Sequence, residues 1–168
     1  DAQSERLRAS LGATARMQAS SEPIQDAQLA QAADALTQTY DRHHGGWGGA
    51  PKFPQASTIE FLLARGEPRW ALHALIAMAQ GGIYDQIGGG FARYAVDATW
   101  TVPHFEKMLY DNALLARAYL HGWQVSGDVR LRVVCEETLD WALAEMRGPE
   151  GGFCSALDAD SEGVEGKY

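Results

Sequence analysis

The chain has 168 residues, 46% of them apolar and 21% charged, with a formal net charge of -8. That length and mix describe a globular domain of ordinary size, and an acidic balance with singly scattered Lys and Arg argues against a nucleic-acid or anionic-membrane surface. No apolar run approaches the roughly 18 residues a membrane span needs, and Asp1 to Gln18 lacks the apolar core of a signal peptide.

Residues 1 to 23 are polar, with a thin apolar stripe of Leu7, Leu11 and Met17, and read as a linker or weak helix that Pro23 ends. Leu29, Ala32, Ala33, Leu36 and Tyr40 recur at helical spacing, which predicts an amphipathic helix over 25 to 43. The run Gly45-Gly46-Trp47-Gly48-Gly49-Ala50-Pro51-Lys52-Phe53-Pro54 then forbids regular structure. Ser57 is the expected N-cap of a helix over 58 to 65. Pro68 suits the first turn of the next helix, which runs to about Gln80 and is apolar on most sides. Residues 81 to 103 form a long non-helical stretch in which 91 to 96 alternates weakly. Helices follow over about 104 to 124 and 129 to 147, with Gly127 between them and Gly148 to Gly152 closing the second. No stretch reads as a multi-stranded sheet, so the fold class is all-α, made of helical hairpins joined by short connections. Two cysteines, Cys135 and Cys154, are too few for a disulfide framework, and no Cys/His spacing fits zinc. No metal or cofactor is expected, and the expected location is a reducing cytoplasm. A chain that opens on Asp and stops at Tyr168, after an acidic loop, is expected to be a fragment of a longer polypeptide.

The polar chemistry gathers in the glycine-rich loops. Lys52, fixed between two prolines beside Phe53, suits a carboxylate or sugar-acid ligand; equally, Phe53 plugs the core and Lys52 is solvated. In Gly82 to Phe91, triple glycine lets backbone approach a ligand, with Tyr84, Asp85 and Gln86 alongside. The alternative is a turn whose Asp85 binds local amides. His104, Glu106 and Asp111 sit in the stretch opened by Pro103, and as a helix they would place His104 and Asp111 about 10 Å apart on one stripe. Asn112 falls on the apolar stripe, where it bridges helices or meets a ligand. Asp158, Asp160 and Glu162 are acids close enough to repel one another. They fit acid–base work on a sugar, a calcium loop in part, or a solvated acidic loop. Trp47, Phe53, Tyr84 and Trp100 lie in or beside these loops, as sugar-stacking rings do; packing under the loops explains them as well.

The segments 45 to 54, 81 to 91, Val102-Pro103-His104-Phe105-Glu106-Lys107-Met108-Leu109-Tyr110-Asp111-Asn112 and Ser155 to Gly163 resemble the thioredoxin-domain proteins of the spermatogenesis-associated family. The likeness covers about 24 to 168. It implies that residues 24 to 168 are about half of an α/α toroid of the six-hairpin glycosidase kind, similar to N-acylglucosamine 2-epimerases. It further implies a thioredoxin-like domain elsewhere in the full-length chain. Carried over by motif, Lys52, Asp85, His104, Glu106, Asp111, Asp158, Asp160 and Glu162 match the family's polar positions. Trp47, Ala92 and Cys154 depart from its usual Phe, His and Tyr.

The leading expectation is a carbohydrate-active protein, isomerising or hydrolysing, whose partner is a sugar or sugar-derived ligand. His104, Asp85, Asp111 and Asp158 would be its catalytic groups. Lys52, Trp47, Phe53, Tyr84, Trp100, Glu106, Asn112, Asp160 and Glu162 would line its substrate. The second expectation is a non-catalytic binding or scaffold module serving the thioredoxin-like domain. Half a ring of helices leaves apolar surface bare, so the fragment is expected to self-associate.

Overall fold

The computed structural model describes residues 3–6, 8 and 22–165. Most of the expected N-terminal linker therefore lies outside the described residues. The chain divides into two compact units, 1–31 and 32–168, and every site residue discussed below belongs to the second.

The core is carried by helices α1 (Asp26–Gln38), α2 (Ala56–Ala64), α3 (Pro68–Gln80), α4 (Leu109–Ser126) and α5 (Val129–Glu145). Six two-residue strands, β1 (Tyr94–Ala95), β2 (Pro103–His104), β3 (Lys107–Met108), β4 (Ala156–Leu157), β5 (Asp160–Ser161) and β6 (Val164–Glu165), pair antiparallel as β1–β2, β3–β4 and β5–β6. The apolar stripes of the helices meet in one core. Ile59 and Leu62 of α2, Leu75 and Met78 of α3, Leu115 and Tyr119 of α4, and Leu131 of α5 are all essentially inaccessible. Tyr119 keeps its hydroxyl satisfied there by donating to the Leu75 carbonyl at 2.7 Å. Gly127 caps α4 in the left-handed conformation and turns the chain into α5, whose Asp128 N-cap accepts from the Arg130 amide.

Two boundaries differ from the sequence expectation. The residue before α2 is Gln55, with no side-chain cap, so Ser57 lies inside the first turn rather than capping it. Helix α4 begins at Leu109, not at 104. Residues 104 to 108 are drawn into ladders instead: His104 pairs with Tyr94, and Lys107 and Met108 pair with Leu157 and Ala156. Extended backbone bonds from two sides outrank helix propensity there.

Two of the glycine-rich loops share one architecture, repeated in sequence as Tyr-Asp followed by Gly-Gly-aromatic. Tyr40-Asp41 and Tyr84-Asp85 each open a loop that closes with an aromatic seven residues after the Tyr, in the bridges Tyr40–Trp47 and Tyr84–Phe91. Each Asp exchanges backbone bonds with the glycines: the Asp41 amide donates to the Gly46 carbonyl, and the Gly45 amide to Asp41. Asp85 does the same with Gly90 and Gly89. Each Asp Oδ1 accepts two loop amides, from His43 and His44 in the first loop and from Ile87 and Gly88 in the second. Each Oδ2 takes a buried lysine, Lys52 at 2.7 Å and Lys107 at 2.8 Å. Each lysine also donates to a loop carbonyl (Ala98 or Gly89) and lies over a tryptophan ring (Trp100 or Trp141). The left-handed glycines are required here: a Cβ on Gly90 would stand 2.6 Å from the Trp141 ring.

Burial would raise the Asp41 carboxyl, but the Lys52 ammonium and the amides of His44 and His43 outweigh it and hold it well below the usual range. A carboxyl so depressed stabilises the fold above its unfolded value near 4, and that stability is lost as pH falls through the acid range. Lys52→Met strands Asp41 without its cation. Urea titration at pH 7 is expected to show a loss of about 3 kcal/mol. Because Asp41 is then less depressed, the variant's stability should fall less steeply on acidification than the wild type's.

Candidate active site

The ribbon from Pro103 to Met108 organises the site. Extended backbone sends alternate side chains to opposite faces. Pro103, Phe105 and Lys107 accordingly line one groove, and His104 and Glu106 meet a different set of groups.

On the His104 face, the ladder register sets Tyr94 opposite His104, and the two rings stack with centroids 4.6 Å apart and planes 14° apart. The far side of Tyr94 carries Phe53 at 4.7 Å. His104 Nε2 lies 3.8 Å from Glu106 Oε2, which also takes the Arg93 guanidinium at 2.9 Å. Asp111, in the first turn of α4, lies within electrostatic reach of Arg93 and Glu106. Burial pushes its carboxyl up to about 6; the Arg93 charge pulls it down, and the Glu106 charge raises it again. Its Oδ2 is buried with no hydrogen-bond partner. This cluster holds an imidazole, a carboxylate–guanidinium pair and a carboxyl that gains or loses a proton near neutrality. It can move protons and bind hydroxyl groups.

The other face opens onto a cavity of about 580 Å³ between the Tyr84–Gly88 loop and Phe105, which adjoins one of about 410 Å³ reaching Asp158 and Asp160. Asp85, Gly88, Phe105 and Lys107 belong to both. The β3–β4 pairing brings the acidic loop here, because Lys107 is registered against Leu157.

The predicted residues therefore separate. His104 and Asp111 each neighbour the Arg93–Glu106 pair, with Phe53 at the back of the ring stack. Asp85 and Asp158 share a cavity on the opposite face, so the stripe joining His104 and Asp111 along one helix is replaced by a ladder-and-helix corner. Asp85 is largely engaged: burial raises its carboxyl, while the Gly88 amide, Lys107 and the Ile87 amide outweigh that and lower it. Asp160 and Glu162 are exposed, and Glu162 has a left-handed φ of 54°. Among the described residues no three His, Cys, Asp or Glu gather as a metal would require, so the calcium-loop reading gains no support.

Five residues expected to contact a ligand are instead engaged inside the protein. Lys52 is wholly inaccessible and clasps Asp41 rather than a ligand. Trp47 donates its indole N–H to the Leu36 carbonyl, Trp100 donates to the Gly45 carbonyl, and Tyr84 donates to Glu137. All three rings are packed beneath the loops. Asn112 is a bridge: it accepts from the Phe91 amide at 2.6 Å and donates to the Phe91 and Met108 carbonyls. Arg93 and Lys107 join the site without having been singled out by sequence. The repeated Tyr-Asp…Gly-Gly-aromatic pattern would have marked the two loops as alike, though not their lysines, which follow the Asp by 11 and 22 residues; the alternation of 103 to 107 would have separated the two faces.

No family model matches the chain. It is 42% identical over 143 residues to spermatogenesis-associated protein 20 of Homo sapiens, covering 79% of this chain, and 41% identical over 137 residues to the protein of the same name from Rattus norvegicus, covering 75%. The chain spans only 18% and 17% of the length of these two relatives. Among solved structures it is similar to the cellobiose 2-epimerase of Spirochaeta thermophila (TM-score 0.55, 20% identity, 79% of this chain and 41% of that one). A sugar epimerase from a ruminal bacterium is similar in the same way (TM-score 0.59, 15% identity, 79% and 40%). At such identities the likeness is one of fold. The chain is thus a homologue of a segment of spermatogenesis-associated protein 20, folded as part of an α/α toroid of the epimerase kind.

Proposed function

We propose that this toroid segment supplies an acid–base site for a sugar or sugar-derived ligand, with His104 and Asp111 as the proton-carrying groups. The observation that carries the reading is one Arg93–Glu106 pair flanked on one side by a stacked imidazole, 3.8 Å from Glu106, and on the other by a carboxyl raised to about 6 whose buried Oδ2 has no hydrogen-bond partner. A carboxyl with its proton half-held near neutrality serves both directions of a proton transfer. Glu106, paired with Arg93, stands beside the imidazole and would offset the positive charge that a transferred proton leaves there. The epimerase-like fold of two solved neighbours makes proton abstraction next to a sugar carbonyl the favoured chemistry over hydrolysis.

A second reading is a binding module serving a thioredoxin-like domain elsewhere in a longer chain, without chemistry of its own. It draws on one observation: Lys52, Asp85 and Asn112, three of the polar positions shared by motif or placed on the site stripe, are committed to holding the loops.

Aldoses incubated with the protein in D₂O should take up deuterium at the carbon beside the carbonyl, read by proton NMR. His104→Gln should slow uptake by about 100-fold, and the inflection near pH 6 should vanish in Asp111→Asn. Absence of uptake and of sugar binding would leave the binding-module reading. Asp111 also marks stability. Its folded carboxyl is raised above the unfolded value, so its contribution is full below about pH 4 and is lost as pH rises through about 6. Asp111→Asn removes that loss. Chemical denaturation should find the variant more stable than wild type above about pH 6, by at most about 1–2 kcal/mol after allowance for solvent screening, and equal to it near pH 4.

A further inference from the structure

We infer that Phe53 is a positioning residue for the His104 imidazole, acting through the Tyr94 ring. Phe53 is not a core residue: it is 43% exposed. Its place is set from below. Lys52 exchanges two backbone bonds with Ala95, at 2.8 and 2.9 Å, while its side chain is pinned to Asp41. The residue after Lys52 must then lie beside the residue before Ala95, and Phe53 and Tyr94 meet at 4.7 Å with planes tilted by 34°. Tyr94 is ladder partner to His104 and nearly parallel to it. The three rings form a column with Phe53 outermost.

The torsion that turns a histidine ring about its own axis is broad and weakly held by the side chain itself. A flat neighbour at stacking distance selects one plane. Here that plane directs Nε2 toward the Glu106 carboxylate. Tyr94 can impose it only if its own ring is held on the far side, and Phe53 does that. An imidazole that transfers protons loses rate when its plane wanders. The inference thus deepens the acid–base reading of this site, while the column itself is testable without it.

The test uses the full chain with ¹³C-labelled histidine. The chain has five histidines, and His104→Gln assigns the one that matters. Ring protons lying over the Tyr94 face are shielded, so His104 should resonate upfield of the exposed His43 and His44. In Phe53→Ala that offset should shrink by about half or more, and Phe53→Tyr should restore it. Unchanged His73 and His121 signals certify the fold. If Phe53→Ala disturbs them, Phe53→Leu, which keeps bulk without a flat ring, decides by the same criterion. An offset that survives loss of the aromatic ring overturns the inference. Where deuterium uptake occurs, Phe53→Ala should lower the saturated rate about tenfold with half-saturation changed less than about twofold. The opposite pattern, a raised half-saturation at unchanged rate, would make Phe53 a ligand contact and overturn the inference. Failure of sugar chemistry leaves the resonance experiment intact, so the two failures are distinct.

Discussion

A buried lysine held by an aspartate, twice over, is the constraint on which the loops depend. A glycine-rich turn has much conformational freedom to lose and few side chains to hold it. In each knot the Asp supplies what the glycines cannot: one carboxylate oxygen collects two amides, and the other collects an ammonium from farther along the chain. Such a pair need not add net stability, since desolvating two charges is costly. What it adds is register. Lys52 locked to Asp41 dictates where Phe53 stands, and Lys107 locked to Asp85 dictates the phase of the ribbon that carries His104. A slip of one residue in that ribbon would exchange the two faces.

The helices are legible because their apolar periodicity is long and their punctuation plain: α3 with Pro68 at its start and α4–α5 joined at Gly127 fall close to where spacing places them. The start of α4 is not, because its competitor is β4, a strand far downstream in sequence that no local pattern announces. The same cause limits the site. His104 and Asp111 both neighbour the Arg93–Glu106 pair, but by a ladder followed by a helix start rather than by one helical stripe. Trp47, Tyr84 and Trp100 are ambiguous in sequence for a different reason. A ring beside a glycine loop is compatible with stacking on a ligand or with packing under the loop. What decides is the indole N–H or phenol O–H, and here each finds a partner inside the protein.

The two faces of the ribbon divide the polar chemistry. The groove face carries Lys107 and Asp85, already bound to one another, with the exposed acids of the 158–162 loop at its far end. The His104 face carries an imidazole, a shared carboxylate and a carboxyl raised toward neutrality. Proton transfer needs groups poised between two states, and a carboxylate fully matched by an ammonium and two amides is not poised. Asp85 is thereby better suited to scaffolding than to catalysis.

Position 92 sharpens that division. Ala92 is buried in the wall of the groove, beside Pro103 and Phe105, and not on the His104 side. An imidazole there, as the family resemblance would lead one to expect, would belong to the groove. With alanine in its place no histidine lines either part of that groove, and the lysine there, Lys107, is already paired with Asp85. Of the two faces, the described residues place an imidazole only on the His104 side, where His104 and the raised Asp111 carboxyl flank the Arg93–Glu106 pair.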